Sequence, residues 1–296
     1  MLNDQKIVVV MPAYNAARTL RQTYEEVMAH GIVDLVIVVD DGSQDETVAV
    51  ARTLDRVQVE VHPMNRGYGA NQKTCYRHAL AAGGDIIIMI HPDYQYTPQL
   101  IPSMAALVAS ELYPCVLASR ILGGGALRGG MPWWRYISNR FLTFVENVML
   151  GAKLSEYHTG YRAFSRRLLE RLPLEANSDD FVFDNQILAQ VISLGCAIGE
   201  VTCPARYVPE ASSINFRRSV RYGLGCLATA LRFRLARRGL FALLLKERSM
   251  RRLPAFSPGK ARDIKDSIFH GRFLRSEEFL LQNGAISRNA VRMLNC

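Results

Sequence analysis

LVIVVDDGSQDET (35–47) decides the fold. Leu35 to Val39 is an unbroken apolar run, mostly β-branched, that stops at Asp40 and Asp41. A strand apolar at consecutive positions buries both faces, as strands do in sheets covered by helices on either side. Gly42 and Ser43 then turn the chain, and a short helix is expected to about residue 54. The same grammar recurs outward. KIVVVM (6–11) leads through PAYNA into helical residues ending near His30, and VQVEVH (57–62) leads through MNRGYG into the helix ANQKTCYRHALAA. DIIIMI (85–90) and YPCVLAS (113–119) read as the fourth and fifth strands. The alternation predicts an α/β fold with a mostly parallel central sheet flanked by helices, and it places ligands beyond the carboxyl ends of the strands.

Further along, ILGGGALRGG (121–130) holds five glycines, too many for a packed element, and is expected to be a mobile loop able to close over a ligand. WWRYISNRFLTFVENVML (133–150) has a helical pattern. EYHTGYRAF (156–164) reads as a bend and a short strand, and AIGEVTCPARY (197–207) as a strand. SDDFVFDNQILAQVISLG (178–195) reads as a helix capped by Ser-Asp-Asp. Three segments follow: a catalytic domain over 1–212, a basic amphipathic helical region over 213–252, and a C-terminal tail over 253–296.

The 296 residues are 49% hydrophobic and 21% charged, which excludes wholesale disorder. The six cysteines are scattered without a CxxC pair, the pattern of small buried hydrophobes rather than a thiol metal site. No basic-then-apolar leader opens the chain, so a reducing, cytoplasmic setting is expected. No window has the length and apolarity of a spanning helix. The net charge of +9 is local: residues 217–252 hold eleven Arg or Lys and one Glu, +10, which leaves the rest at −1. NFRRSVRYGLGCLATALRFRLARRG (215–239) carries seven arginines, no acid, and an uncharged middle of ten residues. That middle is too short to span a bilayer. Clusters of arginine around an apolar stretch fit an anionic membrane surface, which predicts a protein peripheral on the cytoplasmic membrane face. A core helix with solvated ends is the plainer reading. Nucleic acid is excluded as a partner, since neither stacking aromatics nor a binding module accompany the charge.

Chemistry-bearing residues gather at the strand ends. Asp40 and Asp41 follow one strand; Pro12, Ala13, Tyr14 and Asn15 follow another. A Tyr face can stack on a base and a carboxylate can accept its imide proton, although Asp and Gly also simply make turns. After the fourth strand come His91, Asp93 and Gln95. In extended backbone these alternate residues project to one side, and their N and O atoms suit a divalent ion completed by pyrophosphate oxygens. A turn with a solvated Asp is the other reading. Arg120 and Arg135 are candidates to meet anionic oxygens.

VVVMPAYNAARTL, VVDDGSQDET, NRGYGANQKTCYRHALAAGGDIIIMIHPDYQY, ASRILGGG and HTGYRAFSRRLL occur in an order that resembles the inverting glycosyltransferases of family two, with the GT-A fold. The likeness is greatest to the polyprenyl-phosphate sugar synthases, the dolichyl-phosphate mannose synthase group, and spans residues 6–240. It implies a UDP- or GDP-sugar donor bound at Pro12, Tyr14 and Asp41, and Mg2+ or Mn2+ held by Asp93, with Gln95 and His91 as further ligands. The family's Asp-x-Asp is here His91-Pro92-Asp93, so its first Asp is replaced. The resemblance implies phosphate-binding roles for Arg120 and Arg135 and an acceptor-end role for Thr159-Gly160-Tyr161-Arg162. It also places Asp184 at the position of an acceptor-activating carboxylate. The implied acceptor is polyprenyl phosphate; the alternatives are a growing saccharide or small molecule, or a catalytically weak nucleotide-sugar-binding protein. The chain lacks the glycine-rich signature of a nucleotidyltransferase and the GxGxxG of a dinucleotide-binding dehydrogenase.

Overall fold

A computed structural model of the chain describes residues 2–204 and 216–237; the expected junction near residue 212 and the tail 253–296 lie outside the described residues. The chain runs through β1 (Ile7–Ala13), α1 (Leu20–Met28), β2 (Leu35–Asp40), α2 (Thr47–Arg52), β3 (Val57–Val61), α3 (Tyr68–Ala81) and β4 (Ile86–Met89). It continues with α4 (Ile101–Ala109), β5 (Cys115–Ser119), α5 (Trp133–Leu150), β6 (Arg162–Ser165), α6 (Arg166–Leu169), α7 (Phe183–Ser193), β7 (Ile198–Thr202) and α8 (Phe216–Arg237).

The strands form one sheet in the order β3-β2-β1-β4-β6-β5-β7. All neighbours are parallel except β6, which runs antiparallel to both β4 and β5. Alternation along β1 divides the core as a pleated strand requires. Ile7, Val9 and Met11 pack on one face with Leu20 of α1 and Met104 of α4. Val8 and Val10 pack on the other with Tyr76 of α3 and Ile187 of α7. The expected mostly parallel sheet covered on both faces is therefore present.

Two features of this order position the site. The chain leaves β1 toward β2 on one side and returns to β4 on the other, so β1 and β4 flank a topological switch point where the sheet opens for ligands. In register, Ala13 lies beside Asp40, and Val10 beside Met89. The antiparallel β6 then delivers its N-terminal end to that same edge, with Arg162 beside both Met89 and Leu117. Residues 157–161 thereby meet the turn that follows β4.

Several expectations need correction. α7 begins at Phe183, not at Ser178, and Val182 precedes it without a side-chain cap. Asp179 O instead accepts Gly69 N–H (2.7 Å), and Lys73 Nζ donates to Asn177 O (2.5 Å) and Asp179 Oδ1 (2.8 Å), so this turn ties down the start of α3. Gly67 at that junction has φ +101°, and a Cβ there would sit 2.6 Å from Asp179 O. The glycine segment 121–130 is, as expected, without a helix or strand; it is a series of turns in which Ile121, Ala126 and Met131 cluster with Tyr136. α4 has no counterpart among the expected elements. α8 packs on α5 and α7. Among the described residues, no helix is long and apolar enough to cross a membrane.

Candidate active site

The β1 and β2 ends are stitched together by their own polar groups. Asn15, at φ +51°, donates its N–H to Ser43 Oγ (2.8 Å) and accepts from Gln44 N–H on Oδ1 (2.8 Å). Asp40 accepts from Gly42 N (3.1 Å) and Ser43 N (2.9 Å), closing the turn it begins. Asp41 is turned inward and buried. It accepts from Arg66 N (2.9 Å) and Gly67 N (3.0 Å), and its Oδ1 lies 2.7 Å from His62 Nδ1. The carboxylate thus holds the 65–67 loop, and its partners come from the chain itself. Pro12 and Ala13 are buried within β1, whereas Tyr14 is 52% exposed and presents its ring beside them.

After β4 the chain turns at once. Tyr94 has φ +60°, its hydroxyl reaches Glu26 of α1, and Asp93 Oδ1 accepts from Gln95 N (3.1 Å). His91, Asp93 and Gln95 are therefore residues of a tight turn and not alternate positions of an extended strand; the premise that placed them on one side does not hold. What distinguishes the turn is His91. Its ring stacks on Tyr68 at 5.5 Å, and Phe181 also stacks on Tyr68 at 4.7 Å. Its Nε2 is buried with no hydrogen-bond partner. Gly160 leaves room for the ring: a Cβ there would collide with it. Burial lowers the His91 pKa below its ordinary value, partly offset by the charges of Asp93 and Asp184, so the ring is held neutral and able to accept.

Asp184, at the start of α7, is buried and doubly held. It accepts from Tyr68 Oη (2.8 Å) and Gln72 Nε2 (3.0 Å). Beneath it lies Arg162, fully buried. Arg162 donates to the backbone carbonyls of Thr159 (2.7 Å), Tyr157 (3.0 Å) and Asp184 (2.7 Å), and its Nη1 lies 3.5 Å from Asp184 Oδ1. Burial works against the guanidinium charge, but Asp184 and the phenols of Tyr68 and Tyr76 outweigh it and raise the pKa further. The buried cation balances the carboxylate and also satisfies the carbonyls of Tyr157 and Thr159, which lie outside any helix or strand.

Arg120 is committed inward. It donates through its backbone N–H (2.8 Å) and Nε (3.0 Å) to Glu156, pairs with the same carboxylate through Nη2, and donates to His158 O (2.8 Å). Burial alone would raise the Glu156 pKa; Arg120 overrides this and lowers it. Arg120 also lies over the Tyr96 ring at 5.7 Å, next to His91. The structure therefore gathers His91, Asp93, Arg120 and Asp184 around the β4–β6 edge. Arg135 stands apart in the first turn of α5, over the Trp134 ring at 5.1 Å.

A second buried group lies deeper, between α5, α7 and α8. Glu146 is fully buried and neither carboxylate oxygen has a hydrogen-bond partner. Burial raises its pKa to about 8. His158 Nε2 sits 3.5 Å away, and its Nδ1 is 2.8 Å from the Tyr222 hydroxyl of α8. Burial lowers the His158 pKa to about 4, with Glu156 opposing. Tyr68, Gln72, Glu156 and the Glu146–His158 pair were not among the residues expected to matter. Arg162 was, as the last residue of the acceptor-end motif Thr159-Gly160-Tyr161-Arg162, but its burial beneath Asp184 was not.

A divalent ion can be tested against these donors. Among the described residues, no three His, Cys, Asp or Glu side chains converge as a ready-made centre. Asp93 and the orphaned His91 Nε2 offer one oxygen donor and one nitrogen donor. This suits an ion whose remaining ligands arrive with a substrate, as Mg2+ with phosphates commonly does.

The strand order, the antiparallel β6 and the acidic turn after β4 define the GT-A class of glycosyltransferase architecture. Residues 8–173, more than half of the chain, match Glycosyl transferase family 2, and the chain belongs to that family. It is a glycosyltransferase. It is 28% identical over 204 residues to polyprenol monophosphomannose synthase of Mycolicibacterium smegmatis, covering 67% of this chain and 76% of that protein. It is 26% identical over 222 residues to UDP-N-acetylglucosamine--dolichyl-phosphate N-acetylglucosaminyltransferase of Methanococcus voltae, covering 69% and 87%. The fold is similar to that of glucosyl-3-phosphoglycerate synthase from Mycobacterium tuberculosis, solved with Mn2+, UDP-glucose and phosphoglyceric acid. There the TM-score is 0.58 at 24% identity, covering 80% of this chain and 81% of that one.

Proposed function

We propose that the chain moves a sugar from a UDP- or GDP-sugar to an acceptor, with inversion at the anomeric carbon and with Mg2+ or Mn2+ bound. The observation that carries this reading is the buried, unpartnered His91 Nε2 beside Asp93, at the switch point of a family 2 sheet. Asp93 and His91 are the side chains to hold the ion, with Gln95 beside them and the donor's diphosphate supplying further oxygens. When bound, the ion neutralises charge on the departing nucleoside diphosphate. Tyr14 offers a face for the base at the end of β1. Asp41 serves the nucleotide through the 65–67 loop it holds.

Asp184 faces the acceptor. Each of its oxygens accepts one hydrogen bond and keeps a lone pair, so the carboxylate can take a proton from an attacking hydroxyl while Tyr68 and Gln72 hold its orientation. An acceptor phosphate is already anionic near neutral pH and needs only orientation.

The acceptor divides into two readings. The likeness to a structure containing phosphoglyceric acid supports a small molecule or saccharide. The names of two curated relatives, and the basic helix α8, support polyprenyl phosphate at a cytoplasmic membrane face. The test is a transfer assay with several UDP- and GDP-sugars, Mg2+ or Mn2+, and three acceptors: a short polyprenyl phosphate, phosphoglycerate and an oligosaccharide. Product on any acceptor supports transfer and identifies the class. Donor binding without product on any of the three would leave a nucleotide-sugar-binding protein.

A further inference from the structure

α5 does not bury its apolar face. Trp133, Ile137, Phe141, Phe144 and Val148 are each more than half exposed. Their spacing of four, four, three and four places them in one stripe, about 22 Å long at the helical rise. The opposite face of α5, with Asn139, Thr143, Glu146 and Leu150, is buried in the protein. An exposed stripe of two rings, an indole and two aliphatics is more than a soluble surface scatters by chance.

The neighbouring α8 continues it. Val220, Leu224 and Leu231 are exposed on α8, again at helical spacing. Arg234 Nη1 donates to Val148 O (2.7 Å), fastening α8 to the end of the stripe. The rim is basic: Arg140, Lys153, Arg221 and Arg232 are exposed. The single acid within α5 is the buried Glu146, and α8 has none.

We infer that this α5–α8 face docks on an anionic lipid bilayer, with the stripe entering the acyl boundary and the basic rim meeting headgroups. The charge decides the occupant. A second copy applied to the same face would set arginines against arginines, whereas anionic headgroups answer them. Aromatic side chains suit the interface, where one side is apolar and the other wet. The inference extends the lipid-acceptor reading but does not require it, because docking is read by binding rather than by turnover.

The chain's only two tryptophans, Trp133 and Trp134, stand at the start of the stripe and report on it directly. The full chain is mixed with phosphatidylcholine vesicles, with or without about one-third phosphatidylglycerol. Cosedimentation and tryptophan emission are followed, and transfer to a soluble acceptor is measured in parallel. Binding to the anionic vesicles with a blue shift is expected, weakened by salt. Phe141→Ser with Phe144→Ser should lower partitioning about tenfold or more while leaving thermal stability unchanged, since both rings are exposed. Arg221→Gln with Arg232→Gln should lower it about fivefold per arginine on anionic vesicles only. Wild-type affinity in the phenylalanine variant, or tryptophan emission that vesicles leave unmoved, overturns the proposal. So does a dimer that this variant dissolves without changing vesicle binding. Docking without turnover would sink the functional reading and leave this one standing.

Discussion

Asp41 and Glu146 are both buried carboxylates, and the protein treats them in opposite ways. Asp41 is met by two backbone N–H groups and a histidine, while Glu146 has no hydrogen-bond partner and is pushed toward its neutral form. The contrast extends to the halves they occupy. At the ends of β1 and β2, the buried carboxylates are answered by hydrogen bonds from nearby loops, and His91 Nε2 after β4 is the exception. From α5 to α8, an unanswered acid lies inside and an apolar stripe lies outside. On the proposed reading the first half binds the donor, with loops held by their own carboxylates before any ligand arrives, and the second half keeps surface and charge in reserve for a partner.

Substitutions can break this comparison, and Asp93→Asn is the most severe. It should lower kcat about a hundredfold to a thousandfold at saturating donor with an unchanged melting curve. Near-normal turnover would remove Asp93 from the chemistry. Asp41→Ala should strike stability, because two N–H groups lose a buried acceptor. About 2–4 kcal/mol is expected from denaturant midpoints; a loss of activity alone, at full stability, would make Asp41 a ligand contact and not an anchor.

Glu146 sharpens the contrast through pH. Its folded pKa of about 8 stands above the ordinary 4.5, so the native state keeps a proton that the unfolded chain has released. Stability is then lost as pH rises through that window. His158, at about 4 against an ordinary 6.5, acts oppositely: stability rises with pH between those values. The slopes offset one another until about 6.5, leaving a net decline from there to about 8. Glu146→Gln should abolish the decline, gaining about 1–2 kcal/mol over wild type at pH 8 relative to pH 6.5. Parallel pH curves for the two proteins would contradict the burial argument. The mildest change is Tyr68→Phe, which removes one bond to Asp184 and should cost about 1 kcal/mol. If Asp184 takes a proton from a hydroxyl acceptor, this variant should lower kcat more with that acceptor than with a phosphate acceptor.

Legibility followed the same division. The strands β1 to β5 were readable because each is a short apolar run ended by turn residues, and helices join them in sequence. Asp93 was readable for its place at a strand end, though the geometry inferred for it was not. Tyr94 enters the left-handed region, a local conformation that an alternating pattern does not disclose. Arg120 looked available for a phosphate because Glu156, which engages it, is 36 residues away. The stripe on α5 was read as an ordinary helix pattern because periodicity reports that one face is apolar, not whether that face is covered.

By itself the sequence determined the α/β class, the family motifs and the edge of the sheet where chemistry gathers, since these follow from short-range pattern and chain order. Only the tertiary structure decided that β6 enters antiparallel between β4 and β5, that Arg162 is buried beneath Asp184, and that α5 turns its aromatic side outward. Those outcomes depend on which distant segments compete for the same space and the same hydrogen bonds, and no local run of residues records that competition.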